Sequence, residues 1–144
     1  MPYTHILVAV DLSEQCHAVM QRARALAQCS QARLSLVHVI EPLAMAFAAD
    51  VPMDLSLLQQ QQTEQAMQRF RQFAAQYSAL RDEDRHLLSG QPRQEIHSLA
   101  EQLCCDLIVV GSHGRHGLAL LLGSTANELL HGARLDVLAG HLAD

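Results

Sequence analysis

"VVGSHGRHGLALLLGSTANELL", Val109 to Leu130, holds Gly111, Gly114, Gly117 and Gly123, four of the chain's seven glycines. It continues the apolar run "DLIVV" from Asp106, so a strand passes into a glycine-rich segment and then into helix formers. Two readings fit. The glycines bare backbone N–H groups that hold a phosphate at a helix start, or they only let the chain turn between strand and helix. "TANE" at 125–128 serves the second reading equally well, because Thr125 and Glu128 make a capping box that needs no ligand.

Outward from this stretch the chain alternates. "THILVAV" (4–10) is short, apolar and β-branched, as a strand buried on both faces should be. Asp11 and Ser13 then offer N-cap oxygens, and Cys16, Val19, Met20, Ala23, Leu26 and Ala27 recur at helical spacing. "RLSLVHVI" (33–40) is a second strand, with His38 inside it as a hydrogen-bonded core or edge residue. A long connection from Glu41 to Leu55 contains Pro42 and Pro52. The next helix starts near Ser56, with Ala66, Met67, Phe70, Phe73, Ala74 and Tyr77 on one face and Gln59–Gln62 on a solvated one. "RHLLS" (85–89) is a third strand, and Pro92 suits the first position of a helix carrying Ile96, Leu99, Ala100 and Leu103. "DLIVVG" (106–111) is the fourth strand, a helix runs from Thr125 to His131, and "LDVLA" (135–139) is the last strand.

Strands alternating with helices predict a parallel sheet with right-handed crossovers. Five of them predict a single α/β domain over 1–144: a doubly wound sheet of order 3-2-1-4-5, helices on both faces. In that order the winding reverses between strands 1 and 4. Asp11 and Gly111 then border the crevice where such sheets take ligands, which favours the phosphate reading of the glycines.

Composition narrows the chemistry. The 144 residues are 49% hydrophobic and 17% charged, with net charge −5 at pH 7, and no basic stripe for nucleic acid appears. All ten fixed cations are arginines, so Schiff-base chemistry and the lysine-bearing Walker loop are excluded, as are receiver domains of the same topology. The turn after strand 1, "VAVDLSEQ", lacks the glycines of a dinucleotide fingerprint. No apolar run reaches the roughly 20 residues of a membrane span. "MPYTHILVAVD" has no cationic leader, so a cytoplasmic protein is expected. Cys16, Cys29, Cys104 and Cys105 match no zinc spacing and are expected to be buried free thiols, while His113 and His116 lack a third ligand for a metal.

"GSHGRHG" followed by "LLGSTANELL", with "HILVAVDLS", "LSLVHVIEP" and "CDLIVVGSHGR" before them, resembles the universal stress protein family and its ATP-binding-motif subclass. The likeness covers nearly the whole chain. That subclass is written as glycine, two residues, glycine, a nine-residue spacer, then glycine and Ser/Thr; here the spacer "RHGLALLL" has eight residues. The resemblance implies ATP with Mg as the cofactor. It places Ala9, Val10 and Asp11 at the nucleotide, Asp11 nearest the ribose, phosphates and any ion, and no protein side chains form a metal site of their own. It sets the Val39 backbone against the adenine, Val110, Gly111 and Gly114 at the first glycine pair, and Gly123, Ser124 and Thr125 at the helix start. Arg115, the one fixed cation of the stretch, is assigned to the outer phosphates on charge alone. The resemblance further implies a homodimer through the last strand (Leu135–Ala139). No general base, nucleophile pair or lysine accompanies the motif, so a stress-response regulator is expected, with at most slow hydrolysis or autophosphorylation. The alternative is a nucleotide-free dimeric interaction module of the same fold.

Overall fold

Strand β1 (His5–Ala9) is buried at every position, and so is β4 (Leu107–Gly111), because each is covered by helices on both sides. The computed structural model describes residues 3–43, 56–111 and 135–140. Within them run β1, α1 (Cys16–Ser30), β2 (Arg33–Ile40), α2 (Ser56–Ala75), a short 3-10 turn (Asp82–Asp84), β3 (Arg85–Ser89), α3 (Pro92–Gln102), β4 and β5 (Asp136–Gly140). The sheet is parallel with order β3-β2-β1-β4-β5, the order expected from the alternation.

Alternate side chains of the central strands enter two cores. Ile6, Val8 and Val10 join Met20 and Ala23 of α1 and Phe70 and Phe73 of α2. Leu7, Ala9, Ile108 and Val110 face the other way, onto Ile96, Leu99 and Ala100 of α3. Pro92 opens α3 as expected. Helix α1 ends at Gln31, whose left-handed backbone (φ 55°) directs its N–H to the carbonyls of Ala27 and Gln28.

Several expectations need correction. Strands 1 and 4 are shorter than their apolar runs, and the last strand sits one residue later than Leu135–Ala139, since its ladder begins with Asp136 opposite Leu107. Neither Asp11 nor Ser13 caps α1: Gln15 holds that position without a side-chain hydrogen bond. Asp11 Oδ1 instead accepts the Ser13 N–H at 2.9 Å, an Asx turn that shapes the loop before the helix. Tyr77 lies beyond the end of α2, although it is buried with that face. Gln59 and Gln62 are not merely solvated. Gln59 Oε1 accepts the Leu43 N–H at 2.6 Å and Gln62 Nε2 donates to the Glu41 carbonyl at 3.2 Å, tying the end of β2 to α2. All four thiols are free, but only Cys16 is buried; Cys29 and Cys104 are exposed. The helix at 125–131 and most of the 41–55 connection lie outside the described residues.

Candidate functional site

Parallel pairing brings the carboxyl ends of the strands together. Val8 sits opposite Val109, and Ala9 opposite Val37, so Ala9–Val10–Asp11, Val39 and Val110–Gly111 leave the sheet at the same end. This is the point where the winding reverses, since β1 leads to β2 on one side while β4 lies on the other. Ala9, Val10, Val39 and Val110 are almost fully buried, so at this end of the sheet they offer main chain rather than side chain. Val10 is fixed twice: its N–H donates to the Val37 carbonyl at 3.0 Å, and its carbonyl accepts from His38 Nδ1 at 2.8 Å. That bond makes Nδ1 the protonated ring nitrogen. Burial holds the His38 pKa below its ordinary value, although the Val10 carbonyl and Asp11 pull the other way.

Asp11 stands half-buried at the rim. With Oδ1 committed to Ser13, its Oδ2 has no hydrogen-bond partner among the described residues. Leu12 beside it has positive φ (62°), which bends the chain sharply away from the strand. Arg69 on α2 donates from Nη2 to the Leu12 carbonyl and so pins this turn from outside. Sequence reasoning missed Arg69, because nothing in its local pattern links it to a loop 57 positions away. Gly114, Arg115, Gly123, Ser124 and Thr125 lie outside the described residues, as do His113 and His116. The structure therefore brings together Ala9, Val10, Asp11, Val39, Val110 and Gly111 of the expected site. Among the described residues no three His, Cys, Asp or Glu side chains gather as a metal site, and no helix is long and apolar enough to cross a membrane.

Residues 2–140 match the model of the universal stress protein family. Universal stress protein A homolog 1 of Coxiella burnetii is 40% identical over 139 residues, covering 96% of either chain. The solved structure of universal stress protein UspA from Lactobacillus plantarum superposes with TM-score 0.64 at 28% identity, over 98% of this chain and 99% of that one. A universal stress protein solved in complex with cAMP superposes with TM-score 0.61 at 23% identity, over 98% of each chain. The fold and the match across almost its whole length agree: the chain belongs to the universal stress protein family.

Proposed function

We propose that the protein is a cytoplasmic stress-response regulator, one domain over 1–144, that binds ATP with Mg at the carboxyl ends of β1 and β4. The observation that carries this reading is Asp11. Its Oδ2 is left without a hydrogen-bond partner among the described residues at a topological switch point, beside a strand that ends on the buried Gly111. A carboxylate in that position suits a ribose hydroxyl or a phosphate-bound cation, and a glycine at a strand end allows close backbone approach. The main chain of Ala9, Val10, Val39 and Val110 lines the crevice, and Gly114, Arg115, Gly123, Ser124 and Thr125 follow Gly111 in sequence as the phosphate segment. The cAMP found in a structural relative supports an adenine nucleotide as the ligand class. When bound, Mg-ATP supplies negative phosphates for helix-start N–H groups to hold; the chain's own residues orient it, and its effect passes through conformation or partner choice.

Denaturing the purified protein and identifying any released nucleotide by chromatography is the first test. Calorimetry then compares ATP, AMP and cAMP. Wild type is expected to give a saturable heat with Mg-ATP. Asp11→Ala should weaken binding about tenfold, the worth of one hydrogen bond to a charged group, and Gly114→Val should abolish it. Equal, negligible heats in wild type and Gly114→Val would leave the nucleotide-free interaction module as the function.

The homodimer belongs to the same proposal. β5 closes one end of the sheet, and its outer edge has no strand partner among the described residues. Unpaired edges recruit further strands. Sedimentation equilibrium should return twice the 15.9 kDa chain mass, and the single chain mass at micromolar concentration would remove the dimer.

A further inference from the structure

At the opposite end of the sheet, where strands begin, α1, β2 and the turn before β3 line an open cavity of about 500 Å³. Three arginines line it: Arg24 on α1, Arg33 at the start of β2, and Arg81 before the 3-10 turn. The one carboxylate in its wall is Asp84, only 3% exposed. Asp84 takes each of two guanidiniums by its inner nitrogen, Arg33 Nε at 2.7 Å on Oδ1 and Arg81 Nε at 3.5 Å on Oδ2. Bonds through Nε leave the outer Nη pair pointing away from the carboxylate. Arg81 Nη1 reaches Glu83 at 3.1 Å on the surface. Among the described residues the Nη atoms of Arg33 have no acceptor. The Arg24 guanidinium has none either and lies over the Tyr77 ring, 5.4 Å from its centroid. The buried Asp84 thus orients both cations through Nε; the outer fork of Arg33 keeps no acceptor among the described residues, while that of Arg81 is shared with Glu83.

Three guanidiniums against Asp84 and the surface carboxylate Glu83 leave one positive charge at the cavity, in a chain whose net charge is −5. Between them the wall carries Ala32, Leu34 and the buried Leu80, with Gln28 and Gln31 beside them. We propose that this cavity is a second binding site, for a small phosphomonoester with a compact apolar body. The ester's charge of about −1.5 to −2 at neutral pH is opposite in sign to this surplus, guanidinium forks suit phosphate oxygens, and Ala32 and Leu34 receive the body. The site is separate from the nucleotide crevice and does not depend on it.

NMR titration of the full chain with phenyl phosphate tests this, with phenylacetate as the carboxylate of similar body. Phenyl phosphate should shift the amides of Gln28, Gln31, Leu34 and Leu80, and bind at least fivefold more tightly than phenylacetate. Arg24→Gln, which touches neither Asp84 bond, should raise Kd at least fivefold. Gln28→Glu, which adds a negative charge at the rim and removes none of these contacts, should do the same. Saturating Mg-ATP should not displace the probe. Shifts confined to Ala9–Asp11 and Val110–Gly111, equal affinity for phenylacetate, displacement by Mg-ATP, or an unchanged Kd in both variants would overturn the second site.

Discussion

Ile108→Ala is expected to lower stability by about 3 kcal/mol, the largest single effect of any conservative truncation in the sheet. Ile108 is fully buried at the middle of β4, opposite Leu7 of β1 on one side and Val137 of β5 on the other. Its side chain packs in the cluster with Ile96, Leu99 and Ala100 of α3. Truncation removes three carbons from contact with a helix and leaves a cavity that strands paired on both edges cannot close by collapsing. For a domain of this length the loss should lower the melting midpoint by roughly 10 °C. Ile108→Val, which keeps the branch and deletes one methyl, should cost about 1 kcal/mol. Urea unfolding of the two variants beside wild type measures both. A cost under about 1 kcal/mol for the alanine variant would mean that the sheet and α3 reseat around the gap.

The same residue illustrates what could be read before any coordinates existed. "DLIVV" announced a strand as a short apolar run, and burial at all five positions of β4 follows from helices on either side. Strand order followed from the βαβ alternation and the handedness of crossovers, which leave few alternatives. That Ala9, Val10, Val39, Val110 and Gly111 leave the sheet at one end follows from the same parallel pairing. The side chains that support this end were not legible in the same way. Arg69 reaches Leu12 across the interface between α2 and the β1 loop. Asp11 exchanges a helix cap for an Asx turn because Leu12 takes a left-handed backbone, which no propensity of leucine foretells. The arginine cavity is equally invisible in sequence, since Arg24, Arg33 and Arg81 come from three elements that only packing brings together.

Acidification from pH 7 to pH 5 is expected to destabilise the protein steeply, and three histidines carry the effect. Burial holds His5, His38 and His86 below the ordinary value of 6.5. His5 shows the structural cause. Its Nδ1 can only donate to the Leu103 carbonyl, at 3.1 Å, so Nε2 must accept the Ser35 hydroxyl at 2.7 Å. A second proton on Nε2 would face that hydroxyl, and the completely buried Ser35 would have to turn its own proton away from the ring. His86 Nε2 is buried without a hydrogen-bond partner among the described residues, so a proton there would be both desolvated and unpaired. Each group therefore binds its proton more readily when unfolded. Its neutral form is no burden above pH 6.5; as pH falls below 6.5 the unfolded state takes up protons first, and stability drops until the folded pKa is reached. Each histidine adds a slope of at most about 1.4 kcal/mol per pH unit. Carboxylates do not share this window. For Asp84 and Asp106 burial raises the pKa. The Arg33 bond and charge in one case, and the Thr4 and His5 N–H groups with the Thr4 hydroxyl in the other, outweigh it and leave both below 3.8. Their contribution is present above 3.8 and lost only on further acidification. Burial raises the Cys16 and Cys105 thiols, the latter to about 12, so neither titrates here. Urea unfolding at pH 7.5, 6.5, 5.5 and 5.0 should thus show a midpoint that falls below pH 6.5. His5→Gln and His86→Gln should each be less stable than wild type at pH 7.5 and lose less on acidification. Profiles that stay parallel to wild type across the whole range would mean that these rings keep their ordinary proton affinity inside the fold.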